Sequence, residues 1–134
     1  MAFVIDASVV LAVLMPDEKS DLAATILKRT LREPAQAPNL LLLDVSNTIV
    51  MAIKRKRIRP ADASDVLQVF RNLRIELDFT NVNRTDQIFA LAKQFEITSY
   101  DATYLELAQR FSVPLASFDV KLAKAAKSIG IVLL

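Results

Sequence analysis

Four aspartates are the residues of this sequence that could best take part in chemistry: Asp6, Asp44, Asp101 and Asp119. The chain contains neither histidine nor cysteine. Their absence excludes imidazole bases, thiol nucleophiles, Ser-His-Asp triads and zinc sites built on His or Cys. A bound metal would therefore need oxygen ligands, a set that favours Mg²⁺ or Mn²⁺.

Asp6 and Asp119 each follow a short apolar segment that is typical of a buried strand. Residues 3–5 precede Asp6, and residues 113–117 precede Asp119. Ligands of open α/β sheets bind outside the carboxyl ends of the strands. The pattern therefore places both carboxylates at a ligand-binding edge, although each also has a simpler role as a helix N-cap.

Asp44 and Asp101 lie on predicted helices. Asp44 follows four leucines and shares a helix face with Asn47 and Thr48, so a polar patch interrupts an apolar helix. We expect Asn39 to cap this helix; the alternative is that the helix begins at Asp44 itself. Asp101 falls in the first turn of a later helix, where the helix dipole alone favours an acid.

Four carboxylates gathered in one place would repel one another and would need a positive counter-charge. Asp6 and Asp119 end strands, and Asp101 precedes the second of those strands by one helix. If the strands are parallel neighbours, these acids meet at one edge of the sheet. Two unit charges about 4 Å apart repel by about 4 kcal/mol at an effective dielectric of about 20. A divalent cation would supply the counter-charge, so the pattern predicts an acidic metal site.

The elements that must position these acids alternate along the chain. Strands are predicted at residues 3–5, 35–37, 74–80, 113–117 and 131–134, and helices at 9–15, 18–32, 40–56, 83–95, 99–111 and 119–127, with one more beginning at Pro60. Alternating strands and helices predict an α/β fold, a three-layer α/β/α sandwich with a mostly parallel central sheet. At this length we expect a single domain over residues 1–134.

The composition limits the kinds of binding site, partner and cellular compartment that fit this sequence. The single glycine excludes phosphate-cradling glycine loops, and the net charge of +2 is too small to indicate a nucleic-acid partner by itself. The mean hydropathy of +0.33 is high for a small domain and predicts apolar surface covered by a partner, such as a second copy in a homodimer. With neither a membrane-length apolar run nor a signal-peptide pattern, we expect a cytoplasmic protein.

Four segments together resemble the PIN-domain ribonucleases, and within them the VapC-type toxins, over the whole length of the chain. These segments are FVIDASVV (3–10), LLLDVSNTIVMA (41–52), SYDATYLELA (99–108) and PLASFDVKLAKAAKSIGIVLL (114–134). The resemblance implies an acidic quartet that holds Mg²⁺ or Mn²⁺: Asp6, Asp44, Asp101 and Asp119. It also implies supporting polar roles for Ser8, Asn47 and Ser117.

The same resemblance implies an activity and partners. Family members cleave RNA phosphodiesters with metal-activated water, and a VapC-type toxin pairs with a small antitoxin that covers the acidic cleft. The family's second acid is usually Glu, whereas this chain has Asp44, one methylene shorter, which leaves contact through water as an alternative. That departure also keeps open a non-catalytic PIN-fold module for RNA binding or assembly.

A basic run follows the third predicted helix: Lys54, Arg55, Lys56 and Arg57. Its functional interpretation is contact with RNA phosphates, and its simpler interpretation is a solvated last turn favoured by the helix dipole. Tyr100 and Tyr104 are expected in packing at the core or its rim. We assign Glu76 and Asp78 to the solvated face of a strand.

Phosphate-transfer proteins also place an aspartate after the first strand. Haloacid-dehalogenase-like phosphatases need a second acid two positions later, where this chain has Ser8. Receiver domains need an acidic pair at the first strand's end, and no such pair is evident. Both classes fit the sequence less well than a metal-dependent nuclease.

Overall fold

The computed structural model describes residues 2–15 and 20–134, apart from the side chain of Val82. The strands are β1 (Phe3–Ile5), β2 (Ala35–Pro38), β3 (Ile75–Asp78) and β4 (Leu115–Ala116). The α-helices are α1 (Ala7–Leu14), α2 (Asp21–Thr30), α3 (Leu40–Lys54), α4 (Ala63–Asn72), α5 (Thr85–Phe95), α6 (Ser99–Phe111) and α7 (Val120–Ser128). Short 3-10 helices at Pro60–Asp62 and Thr80–Arg84 precede α4 and α5.

The four strands form one sheet in the order β3-β2-β1-β4, and every adjacent pair is parallel. In register, Val4 of β1 lies between Gln36 of β2 and Leu115 of β4. The carboxyl ends of β1 and β4 are therefore neighbours at the same edge. This arrangement brings Asp6 and Asp119 to one end of the sheet, as the sequence predicted.

The helices form two groups. Helix α1 packs against α2, α3 and α4, while α6 packs against α5 and α7 and lies on β1 and β2. Helix α6 is the most enclosed, with residues 102–108 buried in succession. The three-layer α/β sandwich with a parallel sheet is thus confirmed. Among the described residues, no helix is long and apolar enough to cross a lipid bilayer.

Several predicted boundaries differ from the structure. Residues 131–134 do not form a full strand: the structure has a single parallel bridge between Leu115 and Leu133, because β4 itself has only two residues to pair with. Pro60 begins a 3-10 turn rather than α4. Of the helix predicted over residues 18–32, positions 18 and 19 lie outside the described residues, and α2 begins after Ser20, whose hydroxyl accepts from the Ala23 N–H at 3.0 Å.

Candidate metal centre

Asp6 occupies the one-residue turn between β1 and α1. Its extended backbone ends the strand, and its Oδ1 accepts from the Val9 N–H at 3.1 Å, so Asp6 is the N-cap of α1. The simpler interpretation of Asp6 as a cap is therefore correct. Capping alone does not explain its burial, however, since only 4% of Asp6 is exposed.

Two serine hydroxyls surround the Asp6 carboxylate. Ser8 Oγ donates to Oδ1 at 2.6 Å, and Ser117 Oγ donates to Oδ2. The same oxygens also accept: Ser8 Oγ from the Phe118 N–H at 2.9 Å, and Ser117 Oγ from the Asp119 N–H at 3.0 Å. Each serine thus connects the turn after β1 to the turn after β4, which gives Ser8 and Ser117 a supporting place around the first acid.

Burial is the largest influence on the Asp6 carboxyl group, and it raises the pKa above the ordinary aspartate value. The hydrogen bonds from Ser117, Ser8 and the Val9 N–H lower the pKa, and the negative charge of Asp101 raises it again. The net shift is upward. The metal-free protein therefore keeps this carboxylate ionised at a cost, which a nearby cation would relieve.

Asp119 ends the β4 segment and caps α7. Its Oδ1 accepts from the Leu122 N–H at 2.8 Å, while its own N–H is bound by Ser117. The side chain is half-buried. As with Asp6, a local capping role and a place at the sheet edge coincide in one residue, since a helix that starts directly after a strand needs its cap at that edge.

Asp101 lies in the first turn of α6, whose cap is Thr98. Thr98 Oγ1 accepts from the Asp101 N–H at 3.1 Å, so the Asp101 carboxylate is not needed as a cap. Burial raises the pKa of Asp101 most, followed by the negative charge of Asp119; the charge of Asp44 adds a smaller rise. Asp101 therefore interacts electrostatically with each of the other three acids.

Asp44 lies one turn inside α3, which begins at Leu40, so the alternative in which the helix starts at Asp44 is wrong. Its Oδ2 accepts from the Tyr104 hydroxyl at 2.8 Å, a contact that the sequence pattern does not indicate. Thr48 Oγ1 donates to the Asp44 main-chain oxygen at 2.9 Å, whereas Asn47 is exposed. The three polar residues thus lie on α3 as predicted, and Tyr104 of α6 contributes a hydroxyl to Asp44.

Asn39 does not cap α3 with its side chain, contrary to expectation. Its backbone is already helical, and the structure shows no side-chain capping bond from it. Instead, Asn39 Oδ1 accepts from Asn81 Nδ2 at 3.1 Å. The residue after β2 thus joins the loop after β3, at the same edge of the sheet as the acids.

The donor set fits a hard divalent cation in its chemistry. The candidate ligands offer carboxylate oxygens, which suit Mg²⁺ and Mn²⁺. The charges of Asp119 and Asp44 act on Asp101, and that of Asp101 acts on Asp6. Within residues 2–15 and 20–134, however, no three acids stand close enough together to hold a metal ion as they are arranged here.

The family model for the PIN domain matches residues 3–128, a span that contains all four acids. The chain belongs to the PIN domain family. This PIN domain is 31% identical over 133 residues to Ribonuclease VapC3 of Pyrobaculum aerophilum, with 92% of this chain and 94% of that protein covered. The resemblance drawn from the four sequence segments is confirmed.

Two solved structures share the PIN fold at lower identity. PAE2754 from Pyrobaculum aerophilum is 20% identical, with a TM-score of 0.71 over 99% of this chain and 83% of that chain. FitAcB from Neisseria gonorrhoeae is 16% identical, with a TM-score of 0.66 over 100% of this chain and 96% of that chain. At these identities the likeness concerns the fold alone.

A second charged cluster of this PIN domain was not predicted. Glu106 of α6 is 1% exposed and accepts from Arg84 Nε at 2.7 Å and from Arg110 Nε at 2.9 Å. Arg110 also binds Asp78 at 2.7 Å, and this partner lowers the Asp78 pKa against the opposing effect of burial. The assignment of Asp78 to a solvated face is wrong. The four-residue spacing of Glu106 and Arg110 could have indicated the pair.

The basic run of the PIN domain lies at the end of α3. Lys54 is the last helical residue, Arg55 is the C-cap, and Lys56 takes a left-handed backbone with φ of 59°. All four basic side chains are exposed. Lys54 stands ten residues beyond Asp44, which places it about 15 Å farther along the helix axis. RNA contact at this run stays a prediction.

Proposed function

We propose that this PIN domain is a metal-dependent endoribonuclease of the VapC type. Its site would hold Mg²⁺ or Mn²⁺ through Asp6, Asp101 and Asp119, with Asp44 either a direct ligand or in contact through water. The observation that carries the proposal is that Asp6 and Asp119 follow the parallel neighbours β1 and β4, with the Ser117 hydroxyl bonded to both residues. The kinship with Ribonuclease VapC3 supports RNA as the substrate.

The bound cation would supply Lewis-acid chemistry, making coordinated water a nucleophile at neutral pH without histidine. The residues of the chain have complementary tasks. Ser8 and Ser117 hold the Asp6 carboxylate in a fixed orientation, so it needs little rearrangement before binding. Asp101 and Asp119 are half-buried, so they are less enclosed than Asp6. Hydrolysis would leave 5′-phosphate and 3′-hydroxyl ends.

Metal binding would also relieve charge repulsion, since the negative charges of Asp119 and Asp44 both act on Asp101. Like charges without a counter-charge keep apart, and carboxylates in a low-dielectric cleft do so strongly. A divalent cation held by these carboxylates would replace the repulsion by attraction. Accordingly, Mn²⁺ should raise the melting temperature of the protein, because it binds the folded chain and not the unfolded one.

We also propose two protein partners. Phe118 and Val120 flank Asp119 and are 39% and 81% exposed, so an apolar rim borders the acidic site and would suit a small antitoxin that covers it. On α3, Leu43 and Val50 are 70% and 51% exposed and lie seven residues apart on one helix face. That face suits a second copy of the chain in a homodimer.

Asp6→Asn tests the activity. We expect RNA cleavage with Mg²⁺ or Mn²⁺ to fall by at least about 100-fold, since even the indirect partners of metal sites cost 10–100-fold when lost. Asp65→Asn is the matched control, because Asp65 is an exposed aspartate in the first turn of α4. Undiminished cleavage by a folded Asp6→Asn protein would remove Asp6 from the mechanism.

The second candidate function is a non-catalytic RNA-binding or assembly module. It is favoured by Asp44, whose shorter side chain has one oxygen already engaged by Tyr104. Such a module would bind RNA without cutting it and need not bind Mn²⁺. A Mn²⁺ titration in parallel with an RNA cleavage assay separates the two functions.

A further inference from the structure

Tyr104 is buried yet directs a polar group toward the acidic site. It lies on α6 three residues after Asp101, so the two side chains share one face of the helix. Only 2% of Tyr104 is exposed. Its hydroxyl donates to Asp44 Oδ2 at 2.8 Å, across a separation of 60 residues in sequence. A phenylalanine would pack in the same place without that bond.

The surroundings of the Tyr104 hydroxyl are predominantly acidic. Burial raises the pKa of Tyr104 most, and the charges of Asp44, Asp6 and Asp101 each raise it further. The hydroxyl is accordingly the donor in its hydrogen bond with Asp44 Oδ2. Three of the four acids thus act on one neutral hydroxyl group, which places Tyr104 within the cluster rather than beside it.

We propose that Tyr104 is a positioning residue: its hydroxyl fixes Oδ2 of Asp44, so that the second carboxylate oxygen is the one offered to a cation or to its bound water. The inference rests on the proposed function and adds a specific residue to it. The reason for such a device lies in Asp44 itself. An aspartate reaches one methylene less far than a glutamate, so its orientation decides whether it can serve the site.

The test compares Mn²⁺ binding by the full chain and by single variants of it. Titration calorimetry without RNA measures the dissociation constants. Tyr104→Phe removes one oxygen atom and keeps the buried ring. We expect the Mn²⁺ dissociation constant to rise 10–100-fold, the range found when an indirect partner of a metal site is lost. Tyr100→Phe is the matched control, because Tyr100 lies on the same helix but is 64% exposed, and its loss should leave the constant within twofold.

A merely structural tyrosine would give a different result. Its loss would lower the melting temperature and leave the Mn²⁺ dissociation constant unchanged in the folded protein, and that outcome overturns the proposal. Coupling to Asp44 gives a second criterion. In an Asp44→Ala background, Tyr104→Phe should change the constant by less than twofold, whereas an undiminished 10–100-fold effect would show that Tyr104 does not act through Asp44.

Asp44→Asn keeps the proposal testable should Tyr104→Phe fail to fold. It must also weaken Mn²⁺ binding at least tenfold, and an unchanged constant overturns the proposal. The proposed function fails separately: if the wild-type protein binds no Mn²⁺ at millimolar concentration, the metal site is wrong and this inference falls with it. If the wild type binds and Tyr104→Phe binds equally well, only the role of Tyr104 is wrong.

Discussion

Ser117 donates a hydrogen bond from its Oγ to Oδ2 of Asp6 across 111 residues of sequence. This bond joins the turn after β4 to the turn after β1, and the Ser117 oxygen also accepts from the Asp119 N–H. Two candidate metal ligands are therefore held by one hydroxyl group. The orientation of the site depends on it as well as on the backbone of the sheet.

Ser117→Ala should lower the free energy of unfolding by about 1–3 kcal/mol, because it removes a donor from a buried carboxylate and an acceptor from a main-chain N–H. Urea unfolding of the metal-free protein measures the change. Ser128→Ala is the control: Ser128 is exposed and donates only to the main-chain oxygen of its own helix at 2.9 Å. A loss below about 0.5 kcal/mol would mean that the Ser117 bond contributes little to stability.

Asp101→Asn should raise the melting temperature of the metal-free protein at pH 7, because it removes one charge that burial, Asp119 and Asp44 all disfavour. The pKa of Asp101 in the folded chain lies above its ordinary value of 3.8. The folded state thus holds this proton more tightly, and the wild type gains stability from the group as the pH falls through that raised pKa.

The increase in melting temperature caused by Asp101→Asn should therefore shrink as the pH is lowered toward 4. Scanning calorimetry in the presence of a chelator measures this change. Asp86→Asn is the control, since Asp86 is an exposed acid in the first turn of α5. A melting temperature that falls at pH 7 in the Asp101 variant would contradict the crowding of the acids and favour a purely structural role.

Glu106→Gln should destabilise the fold by about 2–3 kcal/mol. The change removes the carboxylate that Arg84 and Arg110 share and leaves Arg110 paired with Asp78. Breaking a buried ion pair is costly, although the partial exposure of both arginines reduces the loss. The midpoint of urea unfolding measures this loss of stability. Glu76→Gln, at an exposed position on β3, removes the same charge and should shift the midpoint little; equal shifts would refute the buried network.

The basic run can be tested through salt dependence. In an Asp6→Asn background that prevents cleavage, replacement of Lys54 and Arg55 by Gln should reduce the slope of log affinity against log salt for single-stranded RNA. The expected reduction is about 1.4, since each phosphate contact contributes about 0.7. Replacement of Lys28 and Arg32, which are exposed on and after α2, is the matched control. Equal slopes for both pairs would assign Lys54 and Arg55 to an ordinary solvated turn.

Four of the five predicted strands, most helices and most capping roles could be predicted because they depend on residues close together in sequence. Helix α6 begins and ends where its periodicity predicted, and Asp6 and Asp119 cap helices as local chemistry requires. The boundaries that failed depend on partners: residues 131–134 form one bridge because β4 is too short to pair further. Local pattern carries no information about the length of a neighbouring strand.

The sequence by itself determined the chemistry available: carboxylates but no imidazole or thiol, placed after strands and at helix starts. Only the tertiary structure decided which groups meet. Tyr104 reaches Asp44, Ser117 reaches Asp6, and Arg110 reaches Asp78 because sheet order and helix packing bring distant segments together. Periodicity and capping act over about one helical turn, so they cannot specify contacts between side chains that lie 32 to 111 residues apart.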